Sequence, residues 1–437
     1  MNPPTEPGPA TAAPGHRPLP AGLRALQHRN FRFFWTGQLI SLIGTWMQTL
    51  AQSWLVLQLT HGDPLALGLV AVAQFTPVII FGLFAGVLAD AIPKRKALIF
   101  TQAASGVLAL ILGLLVVSGQ VQVWHVFVVA ALLGCVNAVD MPVRQAFVSE
   151  MVEREDVANA VALNSAIFNG ARIIGPAIAG LLIGFTGLAA CFLLNAASYI
   201  AVIIGLIAMR QEELRVMPPS GLQRNVRSVI DQLTEGLRYV RDEPTVRLAM
   251  TVLGIVSTVA LNFSVLLPLL ASDVLHGDAG TYGFLMAATG VGSFGSAIMI
   301  AFGQRPTPRL LLAGAAAIGA GSVALAFSRF LPISMLLMLV VGWGVIAMAA
   351  TTNTLIQLTT PDALRGRVMG VYTTVFAGST PVGGLFAGAM AAEAGAPVAL
   401  AAGGALALLT VGYAFWRLPG GRSRAFSYER VAQPRRP

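Results

Sequence analysis

Charged side chains are rare in this chain, and the few that lie within or beside apolar segments are the residues best suited to chemistry. Lys, Arg, Asp and Glu make up 11% of the 437 residues. Arg172 lies inside a long apolar run, Asp140 and Arg144 stand one helical turn apart, and Asp90 precedes Lys94. In a medium of low polarity such groups bind anions, accept protons or form ion pairs between helices.

The elements that must position these groups are long apolar helices. The chain is 56% hydrophobic with a mean hydropathy of +0.74, and about 20 apolar residues suffice to cross a bilayer. The sequence predicts an all-α membrane protein with twelve spans, near residues 33–59, 66–89, 97–118, 122–143, 161–184, 188–209, 247–271, 280–302, 309–328, 332–352, 367–390 and 396–416.

The basic residues predict the orientation of these spans. If the N-terminus lies inside, all but two of the 28 Lys and Arg residues fall in the tails and in every second loop, the exceptions being Arg172 and Arg329. The opposite loops carry the acids Asp63, Asp273, Asp278 and Glu393. By the positive-inside rule, both termini are cytoplasmic in a cell inner membrane. The net charge of +9 then faces anionic lipid and is not a sign of nucleic-acid binding.

The spans fall into two halves joined by a polar segment. The predicted organisation is a disordered N-tail (1–30), a first six-helix bundle (31–209), a linker (210–246), a second six-helix bundle (247–417) and a C-tail (418–437). The N-tail, rich in Pro, Ala and Gly, lacks the features of a cleaved signal peptide. In the linker, apolar residues recur at helical spacing: Val226, Ile230, Leu233, Leu237 and Val240. This pattern predicts an amphipathic helix on the cytoplasmic membrane surface.

Short internal repeats indicate that the two halves are related. The triplet His61-Gly62-Asp63 recurs as His276-Gly277-Asp278, and Pro176 in the fifth span has a counterpart in Pro381 of the eleventh. Repeats of this size are typical of transporters built from two similar bundles.

The loop after the second span carries a recognisable signature. The segment Gly86–Leu98 resembles the signature loop of the major facilitator superfamily, with matches at Gly86, Leu88, Ala89, Asp90, Lys94, Arg95 and Leu98. Ala91 and Pro93 depart from that pattern, and the corresponding site of the second half has Arg305 in place of the acid. The resemblance implies a gating loop in which Asp90 pairs with Arg365 and Arg367. The alternative is that the basic residues only set the topology.

Three further segments, 30–35, 137–147 and 171–180, resemble a branch of bacterial exporters that includes enterobactin exporters and macrolide efflux proteins. The resemblance implies the major facilitator fold, two pseudo-symmetric six-helix bundles around a central cavity. It also implies proton-driven export of a small molecule, and we expect the cargo to be amphipathic, either drug-like or a siderophore. Nothing in the sequence demands more than a monomer. The alternatives are uptake or lipid movement by the same fold, a non-transporting membrane receptor, and, less in keeping with paired halves, a channel.

Polar residues within the spans are the candidates for the substrate cavity. The first span carries a polar stripe that includes Gln48 and Gln52, and in the resembled superfamily the first helix of each triplet lines the cavity. The other candidates are Arg172, Asn262, Asn137 and Asn164. Arg172 either binds an anionic substrate group, tunes the pKa of a carboxyl group, or forms a structural hydrogen-bond hub. The amides alternatively form hydrogen bonds between helices.

Two further sets complete the candidate site. The run Gly175, Pro176 and Gly180 resembles the superfamily's Gly-Pro antiporter motif, in which close backbone approach and a loosened helix allow bending; plain helix packing is the alternative. Asp140 and Arg144 either neutralise each other or take part in gating or proton coupling.

Other chemistries are excluded or disfavoured by the sequence. The only lysines, Lys94 and Lys96, do not follow a glycine, so the chain has no Walker A loop. The glycines at 290–295 match a dinucleotide fingerprint by letter but lie within a span, which favours packing. Cys135 and Cys191 lie in apolar spans and define no metal site. We therefore expect no enzyme, metal or cofactor.

Overall fold

The computed structural model describes residues 20–215, 226–303 and 306–417, without the side chains of residues 21, 83–91 and 226–230. Most of the predicted N-tail, the C-tail 418–437 and Arg305 lie outside the described residues. Within the described ranges all regular secondary structure is helical, as the long apolar runs predict.

The first half contains α1 (Arg29–Leu59), α2 (Pro64–Ala91), α3 (Lys94–Val117), α4 (Val123–Val148), α5 (Val157–Thr186) and α6 (Leu188–Ile207). The linker contains α7 (Val226–Asp242). The second half contains α8 (Pro244–Ala260), α9 (Phe263–Leu269), α10 (Ala279–Ala301), α11 (Pro308–Phe327), α12 (Leu331–Thr359) and α13 (Asp362–Arg417).

The prediction of twelve spans is confirmed. The described residues hold 10 segments long and apolar enough to cross a membrane, and one of them joins α8 and α9. The 56-residue α13 contains two spans, because Gly395 breaks it with a φ of 82°. The remaining span is α1, whose 31 residues are long enough, although its polar side chains lower its hydropathy.

The two halves pack in the same pattern. In the first half α1 packs on α5 and α6, α2 packs on α4, and α3 packs on α4 and α6. In the second half α8 packs on both parts of α13, α10 packs on α12, and α11 packs on α12 and α13. This correspondence is the structural basis of the predicted pseudo-symmetry.

The repeated His-Gly-Asp triplets adopt the same local structure. His61 and His276 both have left-handed backbones, with φ of 52° and 49°. Asp63 accepts a hydrogen bond from the Leu65 N–H at 2.8 Å, and Asp278 accepts one from the Thr281 N–H at 3.0 Å. Each aspartate thus satisfies a free N–H group at the start of a helix.

The halves contact each other through α2 with α13 and through α5 with α10. We call the end of the bundle with Lys94 and Arg365 the basic end, and the end with Asp63 and Glu393 the acidic end. Near the acidic end the backbones nearly touch, because a Cβ atom built on Gly283 would lie 2.6 Å from the Pro176 carbonyl oxygen. Between α2 and α13, a Cβ atom built on Gly68 would meet the Gly384 carbonyl oxygen, whereas one built on Gly82, about four turns nearer the basic end on the same face of α2, would meet nothing within 4 Å. The halves therefore separate towards the basic end.

The segment before α1 is ordered, so the prediction of a disordered tail is wrong for residues 21–30. A 3₁₀ helix, Ala21–Gln27, lies against the start of α5. The Ala25 N–H donates to Asn159 at 2.8 Å, while Arg24 and His28 both bind the Asp156 carboxylate, at 2.6 and 2.8 Å. These contacts offset the entropy cost of ordering the segment.

The linker helix α7 packs against the second half along part of its apolar stripe. The prediction of a helix on the membrane surface did not include this contact. Leu233 and Val240 pack with residues at the basic ends of α12 and α13, whereas Leu237 is 59% exposed. The Tyr239 hydroxyl donates to the Thr359 carbonyl oxygen at 3.1 Å. Burial of two apolar side chains attaches the linker to the second half.

Candidate functional site

Arg172 of α5 lies beside a pair of packed aromatic rings. Its guanidinium carbon lies 5.7 Å from the centroid of the Trp46 ring of α1, a cation–π distance. The Trp46 ring packs edge-on against Phe168, with centroids 5.8 Å apart. The Nε atom of Arg172 is buried without a hydrogen-bond partner in the described structure. No described carboxylate lies within ion-pair distance of this guanidinium.

Arg172 lies where the close contact between the halves ends. A Cβ atom built on Gly290 of α10 would lie 3.1 Å from the Arg172 carbonyl oxygen. Towards the basic end on α5, Val161 and Phe168 are 53% and 44% exposed, and Asn164 is half-buried. The arrangement places Arg172 at the closed end of a space that opens towards the basic end.

Asp140 is buried within a set of hydrogen bonds that joins three helices. Its Oδ1 atom accepts from the Thr101 hydroxyl at 2.7 Å and from the Gln102 amide at 2.9 Å. Its Oδ2 atom lies 3.3 Å from Nε of Arg144. Arg144 in turn donates to Gln38 of α1 at 3.1 Å. The side chains of Asp140 and Arg144 thus connect α3, α4 and α1.

The predicted cavity amides have different surroundings. Gln48 accepts a hydrogen bond from Asn195 of α6 at 2.6 Å, within the first half. Gln52 is buried. Asn262 stands at the break between α8 and α9 and donates to the Thr258 carbonyl oxygen at 2.8 Å, whereas Asn137 is half-buried on α4. The Gln48 bond corresponds to the alternative of a hydrogen bond between helices, whereas the Asn262 bond is local to the end of α8.

The basic residues of the signature loop form an ion pair and a helix cap within the first half. Lys94 lies 2.7 Å from Glu150 at the end of α4. Arg95 donates to the carbonyl oxygens of Leu206 and Ile207 at the end of α6, at 2.6 and 2.9 Å, which suits the negative end of a helix. Gly86 and Asp90 lie in the last turns of α2, and the Asp90 side chain lies outside the description.

The arginines predicted to pair with Asp90 have other partners in this structure. Arg365 binds Asp362, one turn before it on α13, at 2.5 Å. Arg367 forms an ion pair with Glu235 of the linker helix α7. Both acids belong to the second half or to the linker, so the first turn of α13 is paired on its own side of the molecule.

The Gly-Pro run lies in two helix contacts. A Cβ atom on Gly175 would lie 2.5 Å from Cβ of Trp46, so this glycine allows α5 to approach α1. Pro176 and Gly180 form the contact with Gly283 of α10. The three residues thus connect packing inside the first half with packing between the halves.

Several aromatic residues at the site could not be recognised from the sequence patterns described above. Trp46 and Phe168 form the aromatic pair beside Arg172, yet aromatic residues in spans most often pack or face lipid. Trp54 of α1 stacks on Tyr282 of α10, with centroids 6.4 Å apart. Phe168 lies one helical turn before Arg172, and that spacing could have identified it from the sequence. Trp46 is distant in sequence from Arg172, so no local pattern points to it.

Comparisons with known proteins agree with this architecture. Residues 21–434 match the family described as transmembrane secretion effector. The chain is 30% identical over 370 residues to the multidrug efflux pump Tap of Mycolicibacterium fortuitum, covering 80% of this chain and 87% of that one. It is 26% identical over 396 residues to the enterobactin exporter EntS of Escherichia coli O1:K1 / APEC, covering 88% and 90%.

The fold is also found among solved structures. A bacterial homologue of the human lysosomal transporter Spinster, inward-facing and occupied, superposes with a TM-score of 0.70 at 13% identity, over 89% of this chain and 96% of that one. That likeness concerns the fold alone, and the family match with the Tap similarity adds the class of protein. The chain belongs to the transmembrane secretion effector family and is a membrane transporter of the major facilitator superfamily.

Proposed function

We propose that this protein exports a small amphipathic molecule, drug-like or siderophore, from the cytoplasm in exchange for protons. The observation that carries the proposal is the asymmetry of the contact between the halves. They touch at Gly283 and Pro176 near the acidic end and separate towards the basic end, which the basic loops assign to the cytoplasm. A cavity that opens to one side only is one state of an alternating-access cycle.

The other state follows if the halves rock about the level of Arg172. The glycine contacts at the acidic end would open, and the basic ends of α2 and α13 would approach. Arg365 and Arg367 would then come near Asp90, where the signature loop requires them. The Lys94–Glu150 pair lies within one half and would move as part of a rigid body.

Export is favoured over uptake and lipid movement by the relatives. Tap is named a multidrug efflux pump and EntS an enterobactin exporter. Both cover most of this chain, so the same direction is the simplest proposal here. One chain carries both halves and the contacts between them, so the proposed working unit is a monomer.

Asp140 is the proposed proton carrier. Protonation would remove its attraction for Arg144, which also binds Gln38 of α1. Because α1 and α4 both belong to the wall of the first half, the proton would change how these helices are held together. The alternative is that Asp140 and Arg144 only neutralise each other.

The test is proton movement in inverted vesicles that contain the full chain. A panel of drugs and siderophores is added while an interior pH probe is recorded. We expect substrate-dependent proton release that Asp140→Asn abolishes and that Asp90→Ala reduces strongly, with unchanged membrane insertion. Arg154→Gln, an exposed arginine of the loop before α5, is the control and should behave as wild type.

Two outcomes would contradict the proposal. Transport that keeps its pH dependence in Asp140→Asn removes Asp140 as the proton carrier. A silent panel with correctly inserted protein, together with binding of the same compounds, favours the receptor alternative.

A further inference from the structure

We infer that the cavity selects aromatic anions, and that Arg172 with Trp46 and Phe168 forms the recognition site. The inference rests on the proposed function and adds the chemical class of the cargo. A guanidinium cannot lose its proton in a protein, and a buried charge without a partner is costly. In this structure Arg172 is half-buried, its guanidinium lies against the Trp46 ring, and its buried Nε–H has no acceptor in the described part of the chain.

The position of Arg172 indicates that a missing acceptor arrives from the cavity. On α5 the face at Gly175 packs on α1, and the face at Gly180 packs on α10. At roughly 100° per residue, Arg172 lies between these two faces. The opposite face carries Ile174 and Phe185, exposed by 43% and 86% as suits contact with lipid. The guanidinium therefore lies on the cavity side of the helix.

The neighbours of Arg172 favour an aromatic group beside the negative charge. The Trp46 and Phe168 rings lie edge to face, and Phe168 keeps 44% of its surface exposed. A planar ring stacks on such a wall, while a carboxylate or phenolate accepts two hydrogen bonds from the guanidinium fork. The same neighbours disfavour a cationic ligand, since Arg172 repels it and no described carboxylate offsets the repulsion.

The second half supplies aromatic surface at a matching position. On α13 the faces at Gly383 and Gly384 pack on α8 and α2. Phe376 lies towards the cavity side by the same helical register, is 39% exposed, and stacks on Tyr372 with centroids 6.2 Å apart and parallel planes. The two halves thus present aromatic rings from both sides and positive charge from one side, so the half with Arg172 orients the ligand.

The test is ligand binding to the full chain in nanodiscs, without a proton gradient, measured by isothermal titration calorimetry. The probes share one ring system and differ in charge: 1-naphthoate, 1-naphthamide and 1-naphthylmethylamine. We expect the wild type to bind naphthoate most tightly. Arg172→Gln should weaken naphthoate by roughly 10- to 100-fold, as expected for loss of hydrogen bonds to a charged group. It should change naphthamide binding by less than about threefold.

Further variants separate a folding defect from a loss of recognition. Arg172→Lys keeps the charge without the planar fork and should give an intermediate affinity. Trp46→Leu should weaken naphthoate and naphthamide together, because both lose the ring contact. Arg154→Gln, an exposed arginine with the same charge change, should leave all three affinities unchanged.

Three results would overturn the inference: no naphthoate binding to wild type, equal affinity for the cationic probe, or naphthoate affinity unchanged in Arg172→Gln. The proposed function is tested separately, since calorimetry needs neither a gradient nor transport. Proton-coupled export of cationic drugs that is unaffected by Arg172→Gln would leave the proposed function standing and remove the anion site. Arg172-dependent naphthoate binding without proton movement would support the site and contradict antiport.

Discussion

Trp54 of the first half stacks on Tyr282 of the second half, with ring centroids 6.4 Å apart and ring planes at 22°. Both side chains are buried, Tyr282 completely. The pair lies near the acidic end, beside the glycine contact between α5 and α10. Large aromatic surfaces packed between two rigid halves stabilise the state in which this end is closed.

Removing this stack should open the acidic end. Trp54→Ala removes contacts worth about 3 kcal/mol in a packed interior, part of which is lost only when the halves separate. We expect the population with an open acidic end to rise by at least roughly tenfold. The distance between spin labels at Gln120 and Glu393, two exposed residues at this end, is measured by double electron–electron resonance. The labels are introduced in a variant that lacks Cys135 and Cys191.

Trp124→Ala is the matched control, because Trp124 is 56% exposed and stacks on its neighbour His125 within one half. It should leave the distances as in wild type. An unchanged distance distribution in Trp54→Ala would show that the stack does not hold the halves together.

A methyl group at the glycine contact should hinder closure. A Cβ atom on Gly283 would lie 2.6 Å from the Pro176 oxygen and 3.0 Å from Cα of Gly180, so Gly283→Ala must push the two backbones apart. We expect a severalfold lower transport rate with normal expression. Gly295→Ala on the same helix, with open space around it, should transport as wild type. Equal rates in both variants would contradict a role for this contact.

The ion pair between Lys94 and Glu150 should contribute to stability, because both side chains are largely buried, with exposures of 13% and 10%. Removing one partner of such a pair costs roughly 3 kcal/mol, and reversing one charge also places two like charges side by side. Lys94→Glu and Glu150→Lys should each lower the melting temperature, and the double exchange should recover most of the loss. A double exchange as unstable as the sum of the single variants would show that the two residues do not couple.

The binding of the N-terminal 3₁₀ helix should depend on pH through Asp156. The hydrogen bond from His28 and the neighbouring Arg24 hold the pKa of this carboxyl below its ordinary value of 3.8, with Glu155 and Asn159 also close by. A lowered pKa in the folded state means that the charged form stabilises the fold above the ordinary pKa. That contribution is lost as the pH falls through the folded-state value.

The measurement is the melting temperature of wild type and Asp156→Asn as a function of pH. Wild type should melt at a higher temperature near neutrality, and the difference should shrink below about pH 4. Glu155→Gln is the control, because its side chain is 82% exposed and should contribute little. A difference that persists unchanged into acid would contradict a role for the Asp156 charge.

The spans and the two-half organisation follow from the sequence because they depend on local properties. A run of apolar residues must become a helix in lipid, since no other local structure satisfies its backbone. The His-Gly-Asp triplets show the same logic, because the conformation of His61 and the hydrogen bond of Asp63 involve only nearby residues. The basic loops are equally local, which is why topology can be predicted from them.

The site was predictable only in part. Arg172, Asp140 and Arg144 stand out because an ionisable residue inside an apolar span is costly and therefore rare. Gln48 was predicted as a cavity residue, yet it binds Asn195 of α6. A polar stripe shows that a helix face avoids lipid, but water and a neighbouring helix satisfy it equally well.

What the sequence determined by itself is the class of protein: apolar helices, their number, their predicted orientation and the rare charges among them. Only the tertiary structure decided the partners of those charges. It placed Trp46 over Arg172, Thr101 and Gln102 on Asp140, and Glu235 on Arg367. The reason is that each of these contacts joins residues far apart in the chain, and helix packing, which depends on many side chains at once, selects the faces that meet.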